Sequence, residues 1–457
     1  PGGSVPHVVP NVLGENSAGA AGWGDAGVVV PWALYQAYGN KQILEAQYES
    51  MKGWVEFIRG RAAMDSTTYL WENNFTFGDW LAFNTDRSDY PGATTSKDLI
   101  RNAYFARSAD LLARSARALG RMDDAERYQK LFERVRSAFQ REFVTPRGRI
   151  TSDTQTSYVL ALSFDLLPAD QRATAARRLV RDVRSRDHLT TGFLGTPDLA
   201  PVLSEYGYWA DAFDLLFRTE YPSWLYPVTR GATTIWERWN GIRPDSTFQD
   251  PGMNSFNHYA YGAIGEWLYT EVAGIQAEEP GYGEIRIAPH PGDSLTHARA
   301  FLDTNYGRVE SSWTREDGQF RLVVTTPANT RATVRLPGAA RTAVTEGETS
   351  LDRATGVSAI REDGEDRVLE VGSGTYTFTY DTDRPAAGGA RAPGPDATVG
   401  ELLAHPGSRA VLRNELPEVL RSPWLSQTMG FSLERLPRIV PSEVSAESLQ
   451  SVRRQLR

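Results

Sequence analysis

The chain has 457 residues, a formal net charge of −8 and no cysteine, which excludes disulfide bonds, thiolate zinc sites and cysteine nucleophiles. There is no basic stripe and no run of about 20 uninterrupted apolar residues, so neither a nucleic-acid partner nor a membrane span is expected. A chain of this length is expected to fold as two or three domains, and its 40% hydrophobic content suffices for globular cores.

The chain begins with a Gly- and Pro-rich loop that leads into the first predicted helix. Gly22-Trp-Gly-Asp-Ala26 opens a helix predicted over Ala26 to Tyr38, and Gly39 is expected to end it. Asp25 is expected to cap this helix by accepting backbone N–H bonds. A second helix is predicted over about Lys41 to Arg61, because apolar residues recur there at helical spacing.

A long aromatic loop over Ala62 to Thr95 separates these helices from the next ones, and loops of this length are usually functional or disordered. Its aromatic content argues against disorder. Further helices are predicted at about Thr95–Leu119 with Ser96 as cap, Asp123–Phe143, Asp153–Leu167, Ala169–Arg186, Leu199–Glu205, Tyr208–Arg218 and His258–Val272. About ten helices in antiparallel pairs predict an (α/α)6 toroid over residues 1–277, one hairpin short of six.

From about Glu278 the pattern changes to apolar–polar alternation between turn residues, which predicts a β-sandwich over residues 278–383. Strands are predicted around residues 285–287, 299–302, 307–314, 320–325, 332–336 and 376–380. Residues 384–397 are predicted to be a flexible linker. Residues 398–457 are predicted to form a small helical appendage, whose leucine faces serve either self-association or packing on the body.

The stretch from Gly231 to Gly241 carries the main functional prediction. It places the carboxylate of Glu237 between the indoles of Trp236 and Trp239, with Arg238 adjacent. Indole faces suit the C–H faces of a sugar ring, and a carboxylate beside them can take a proton from water. The alternative interpretation is that both indoles are core residues and that Glu237 is a solvated charge.

Six motifs together resemble the bacterial α-L-rhamnosidases of glycoside hydrolase family 78. They are Val5-Pro-His-Val-Val-Pro10, Gly22-Trp-Gly-Asp-Ala26, Phe77-Gly-Asp-Trp-Leu81, Thr191-Gly-Phe-Leu-Gly195, Gly231–Gly241 and Phe256-Asn-His-Tyr-Ala-Tyr-Gly262. The resemblance covers about residues 5–380 and implies an (α/α)6 barrel followed by a β-sandwich. It also implies removal of terminal α-L-rhamnose with inversion, a reaction that needs two carboxyl groups with water between them.

The resemblance also implies a role for each matched residue. Glu237 would be the general base, and the substrate would be a rhamnosyl glycoside or polysaccharide. The implied substrate-binding residues are Asp25 near the sugar, Trp23 and Trp80 as aromatic walls, Trp236 and Trp239 beside the base, and His258 on sugar hydroxyls. The alternative for His258 is an ordinary histidine at the start of a helix.

The chain departs from the family pattern, because the Asp-Glu-Arg-Leu-Gly-Trp run with the general acid and the Thr-Gly-Asp-Ala motif after it are absent. We therefore expect a C-terminal part of a longer rhamnosidase, without the acid and the first hairpin. Low stability or aggregation is the expected consequence of the uncovered apolar faces.

Three other interpretations stay open from the sequence. Another (α/α)6 glycosidase would use a different acid, for which Asp25, Asp79 and Glu72 are the candidates. A sugar-binding scaffold would lack catalysis, and an assembly module would rely on the appendage. No cofactor is expected, and no His, Asp or Glu cluster has metal-ligand spacing. The compartment, cytoplasmic or secreted, stays open.

Overall fold

Ten α-helices precede the first strand in the computed structural model, which describes residues 2–14, 18–62, 69–72, 74–82, 94–292, 295–382, 399–404, 406–421, 432–439 and 444–456. They are α1 (Ala26–Tyr38), α2 (Lys41–Ala62), α3 (Lys97–Ala118), α4 (Met122–Phe143), α5 (Gln155–Ser163), α6 (Ala169–Arg186), α7 (Thr196–Glu205), α8 (Trp209–Phe217), α9 (Leu225–Thr229) and α10 (Ile264–Trp267). Helix α9 was not predicted from the sequence.

The ends of several helices follow local capping chemistry. Helix α1 ends where Gly39 takes the left-handed conformation at φ 66° and donates its N–H to Tyr35. Helix α3 begins where the Ser96 hydroxyl accepts the Leu99 N–H, as predicted. The prediction that Asp25 caps α1 is wrong, because its carboxylate accepts bonds from other elements instead.

Two predicted helices are shorter than expected by several residues. Helix α5 does not span 153–167, because Asp153 and Asp165 both have positive φ angles, 50° and 58°, and interrupt the helical backbone at each end. The helix predicted over His258–Val272 starts later, since the His258 N–H is bonded to the Ile235 carbonyl. The chain forms a 3-10 turn (Ala260–Ala263) there, then α10, then a π-helical turn (Leu268–Val272).

The helical core continues without a break into the β domain, as one cluster of buried apolar side chains. The Trp313 indole N–H donates to the Val272 carbonyl at 2.8 Å, and the Ser311 hydroxyl donates to the Ala273 carbonyl at 2.6 Å. The end of the last helical segment is thus hydrogen-bonded to the sheet.

The β domain consists of two sheets and confirms the predicted sandwich. Its strands are β1 (Ile275–Ala277), β2 (Glu284–Ile287), β3 (His297–Thr304), β4 (Gly307–Glu316), β5 (Gln319–Thr326), β6 (Arg331–Leu336), β7 (Val344–Glu346), β8 (Thr349–Ser350), β9 (Val357–Asp363), β10 (Asp366–Val371) and β11 (Gly374–Asp381). One sheet has the order β1-β2-β6-β10-β9 and the other β3-β4-β5-β11-β7-β8. Strands β1, β7, β8, β9 and β10 were not predicted, and β9 lacks the alternating burial that marks a predicted strand such as β5.

The C-terminal appendage contains helices Val399–Ala404, Pro406–Glu415, Pro417–Arg421, Leu436–Ile439 and Ala446–Gln455. Its leucines and valines form a small core of their own, separate from the main one. Arg413 is ion-paired with Asp187, which follows α6 on the helical domain. The predicted linker 384–397 lies outside the described residues. Within the described part of the chain, no helix is both long enough and apolar enough to cross a membrane.

Candidate active site

The segment around Glu237 is paired with the segment around Ser255 along its backbone. The Glu237 N–H donates to the Ser255 carbonyl at 2.9 Å, and the His258 N–H donates to the Ile235 carbonyl at 2.8 Å. The Ser255 N–H returns a bond of 2.9 Å to Oε2 of Glu237. These three bonds fix the Glu237 carboxylate next to the His258 motif, and the side chain stays partly exposed.

The two indoles beside Glu237 are buried, with Trp236 5% and Trp239 2% exposed. The Trp239 ring stacks on Tyr261 with centroids 3.9 Å apart, and it meets the Trp224 ring at 81°. The Trp236 ring meets Phe256 at 88°. Protein rings therefore pack against both indoles. A direct role in substrate binding stays a prediction.

His258 lies between two aromatic rings and is partly exposed. Its ring is 5.1 Å from Phe193 and 5.2 Å from Tyr259, and the Tyr259 ring is nearly parallel to it. Nδ1 accepts the Ala260 N–H at 3.3 Å, so the neutral ring carries its proton on Nε2. The histidine therefore has one N–H available to donate to an acceptor such as a sugar hydroxyl.

Asp79 joins two of the sequence motifs. Its carboxylate accepts the backbone N–H groups of Gly192, Leu194 and Gly195, and the Thr156 hydroxyl also donates to it. The side chain is fully buried, and burial raises its pKa although all four bonds oppose the rise. Asp79 thus holds the 191–195 loop against the 77–81 loop through hydrogen bonds.

Asp25 is a second fully buried carboxyl group. It accepts the Trp54 indole N–H at 2.9 Å, the Ser108 hydroxyl at 2.6 Å and the Gly22 N–H at 2.8 Å. Burial raises its pKa to about 6, against the effect of these three bonds. Asp25 thus supports the loop that carries Trp23, and its predicted contact with the sugar stays a prediction.

Trp23 and Trp80 lie on the same partly exposed aromatic surface. The Phe77 ring contacts both of them, at 4.6 Å from Trp23 and 5.8 Å from Trp80. The Trp80 carbonyl accepts the Phe193 N–H at 2.9 Å, and Phe193 in turn contacts His258. Phe77 and Phe193 therefore connect Trp23, Trp80 and His258.

A group of buried donors lies directly beside Glu237. Arg238 is 3% exposed, and its Nε and Nη2 have no hydrogen-bond partner among the described residues. The Tyr261 hydroxyl and the Trp239 indole N–H are also buried and, within the described chain, unpartnered. Burial lowers the pKa of Arg238, since a guanidinium is costly to desolvate.

Several residues that hold the site together were assigned no role from the sequence. Phe193 and Tyr261 lie inside the quoted motifs, and their aromatic rings within those motifs were the available signal. Asp25 is hydrogen-bonded to Trp54 and Ser108. These two residues belong to helices distant in the sequence, so no local pattern indicated their role. Across the described residues, no group of three His, Cys, Asp or Glu side chains is placed to hold a metal ion.

Two family models match the chain. The bacterial alpha-L-rhamnosidase 6 hairpin glycosidase domain matches residues 1–272, and the bacterial alpha-L-rhamnosidase C-terminal domain matches residues 274–350. Among curated relatives, an alpha-L-rhamnosidase of Streptomyces avermitilis is 44% identical over 378 residues, covering 82% of this chain and 34% of the relative. One from Formosa agariphila is 42% identical over 338 residues, covering 73% of this chain and 36% of the relative.

Solved structures agree with this match. The chain is similar to Streptomyces avermitilis alpha-L-rhamnosidase complexed with L-rhamnose, with a TM-score of 0.74, 44% identity and coverage of 83% of this chain and 34% of that one. It is also similar to the enzyme from Aspergillus terreus, with a TM-score of 0.73, 36% identity and coverage of 83% and 41%. The chain spans about a third of the length of the curated relatives it matches.

Proposed function

Because the chain belongs to the bacterial α-L-rhamnosidase family, we propose that it hydrolyses terminal α-L-rhamnosyl residues from glycosides or polysaccharides with inversion, and that Glu237 is the general base. The observation that carries the proposal is the fixed, partly exposed Glu237 carboxylate beside His258. Inversion requires a base that activates water on the face of the sugar opposite the leaving group.

Glu237 is suited to this role because one carboxylate oxygen is already held. Oε2 accepts the Ser255 N–H, which fixes the orientation of the carboxylate before substrate arrives. His258 supports the proposal with an Nε2–H available for a sugar hydroxyl. Trp23 and Trp80 would form the aromatic walls of the sugar site, since both are partly exposed.

The proposal assigns no general acid among the described residues. Asp25 and Asp79, two candidates for an acid in another type of glycosidase, are fully buried and already hold three and four donors. A carboxyl group in that position has no access to a leaving-group oxygen. Glu72, the third candidate, is exposed on the aromatic loop.

The test is hydrolysis of an aryl α-L-rhamnoside by this chain beside its Glu237→Gln variant. An aryl leaving group of low pKa needs little protonation, so the reaction depends chiefly on the base. We expect turnover that falls by at least about 10²-fold in Glu237→Gln, the scale of a lost acid–base group. Equal turnover by both proteins would exclude Glu237 as the base. Binding of L-rhamnose without turnover in either protein would favour a sugar-binding scaffold.

A further inference from the structure

The side chain of Tyr259 is 88% exposed, although it directly follows a residue of the candidate site. Its ring packs on the His258 ring at an interplanar angle of 9° and a centroid distance of 5.2 Å. Single exposed aromatic residues are common on protein surfaces, and Tyr38 and Tyr306 of this chain are examples. Tyr259 differs from them because one face of its ring is supported by a site residue.

The backbone on both sides of Tyr259 is held by hydrogen bonds. The Tyr259 carbonyl accepts the Gly262 N–H at 2.9 Å, and the preceding His258 N–H is bonded to the Ile235 carbonyl. The Ala260 N–H donates to the His258 ring, so the imidazole beneath Tyr259 is also held. A ring fixed in this way loses little conformational entropy when it binds a ligand.

The position of Tyr259 relative to Glu237 indicates which part of a ligand it meets. Ser255, which holds the Glu237 carboxylate, lies in the same short segment as His258 and Tyr259. His258 is partly exposed, and its ring contacts both the Phe193 ring and the exposed Tyr259 ring. A ligand whose terminal sugar contacts His258 is therefore within reach of the Tyr259 ring.

We propose that Tyr259 is a specificity-determining residue whose ring stacks on the pyranose ring to which the terminal rhamnosyl residue is attached. The inference rests on the proposed function, since it places the rhamnosyl residue at His258. A tyrosine ring offers a π face to the C–H face of a pyranose and a hydroxyl group at its edge. The chain would therefore favour rhamnosyl disaccharides over rhamnosides with a small alkyl group.

The test measures binding in the full chain with Glu237→Gln as background, so that turnover does not interfere. The dissociation constants of methyl α-L-rhamnoside, a rhamnosyl-glucose disaccharide and p-nitrophenyl α-L-rhamnoside are compared by calorimetry. With Tyr259 present, we expect the disaccharide to bind about 2- to 12-fold more tightly than the methyl glycoside, the scale of a ring pair. Tyr259→Ala removes this preference and Tyr259→Phe retains most of it.

Tyr306→Ala is the matched control, since Tyr306 is a 46% exposed tyrosine in the β domain, and it leaves the preference unchanged. A preference for the disaccharide that survives in Tyr259→Ala overturns the proposal, and so does its absence in the parent protein. If Tyr259 increases the affinity for the p-nitrophenyl glycoside only, the proposal is overturned, and Tyr259 then binds an aromatic leaving group. If methyl α-L-rhamnoside itself does not bind, the proposed function is overturned together with the role of Tyr259. Binding of this glycoside without a Tyr259-dependent preference overturns the role of Tyr259 alone.

Discussion

The carboxylate of Asp79 accepts the N–H of Gly192 at 2.8 Å, across 113 positions of sequence, where the two backbones nearly touch. A Cβ atom on Gly192 would lie 2.1 Å from the Trp80 carbonyl oxygen and 2.7 Å from the Ala82 nitrogen. Glycine is therefore required at this position by close approach. The contact sets the distance between the loop that carries Trp80 and the loop that carries Phe193.

Gly192→Ala is expected to destabilise the fold, because the new methyl group meets backbone atoms that cannot move independently. We expect the free energy of unfolding to fall by about 2 kcal/mol, within the range of overpacking substitutions. Urea denaturation followed by tryptophan fluorescence measures this loss. Activity toward an aryl rhamnoside should fall as well, since Trp80 and Phe193 would be displaced.

Gly60→Ala is the control for that substitution. Gly60 lies in α2, and a Cβ atom added to it would meet no atom within 4 Å, so alanine fits without strain. Replacing a helical glycine reduces the conformational entropy of the unfolded chain, and we expect stabilisation by about 0.5–1 kcal/mol. Equal effects of the two substitutions would show that the close approach at Gly192 does not matter.

Asp25 is expected to make stability depend on pH. Its folded pKa of about 6 lies above the ordinary value of 3.8, so the folded state binds the proton more tightly than the unfolded chain does. The resulting stabilisation is complete below pH of about 4 and is lost as pH rises through about 6, by about 3 kcal/mol in total. Asp25→Asn cannot ionise and lacks this dependence.

The measurement is the difference between the unfolding free energies of wild type and Asp25→Asn, by urea denaturation at pH 4 and pH 7. All other titrating groups cancel in this difference. We expect the advantage of wild type to shrink from pH 4 to pH 7. If the wild-type advantage in unfolding free energy stays constant or grows from pH 4 to pH 7, folding does not raise the pKa of Asp25.

Local chemistry explains which parts of the fold could be predicted from the sequence. The bounds of α1 and α6 were predicted to the residue, and for α1 the sequence itself marks the end with Gly39. Asp25 also precedes α1 in the position of a cap. Its carboxylate nevertheless accepts hydrogen bonds from Trp54 and Ser108, which lie 29 and 83 positions away. A single sequence contains no information on such long-range partners.

The candidate site shows the same limit. Glu237 and its neighbouring rings were identified from composition and from the resemblance. Whether Trp239 faces a sugar or the core depends on where Tyr261 and Trp224 pack. That is a property of the whole tertiary structure, because a tryptophan beside a polar residue fits a core position and a sugar platform equally well.

Helix α1 exposes an apolar stripe that is expected to promote aggregation. Val30, Leu34 and Tyr38 are 51%, 39% and 53% exposed, and their spacing of four residues places them on one face. Leu34→Lys is expected to reduce concentration-dependent light scattering and to change the unfolding free energy by no more than about 0.5 kcal/mol. Val28→Lys, at a fully buried position of the same helix, should instead destabilise the protein strongly. Unchanged scattering by Leu34→Lys would exclude the stripe as the cause.

The appendage is expected to fold on itself and not to drive self-association. Its buried leucines and valines pack together, which leaves little of the apolar face that the sequence suggested for a partner. A chain ending at residue 383 should therefore have the same oligomeric state as the full chain in multi-angle light scattering. It should also turn over an aryl rhamnoside equally well, because all the residues assigned to the candidate site precede residue 383. Dissociation of an oligomer on truncation would show that the appendage is an assembly module. The Arg413→Ala variant would then test whether the ion pair with Asp187 is needed for that assembly.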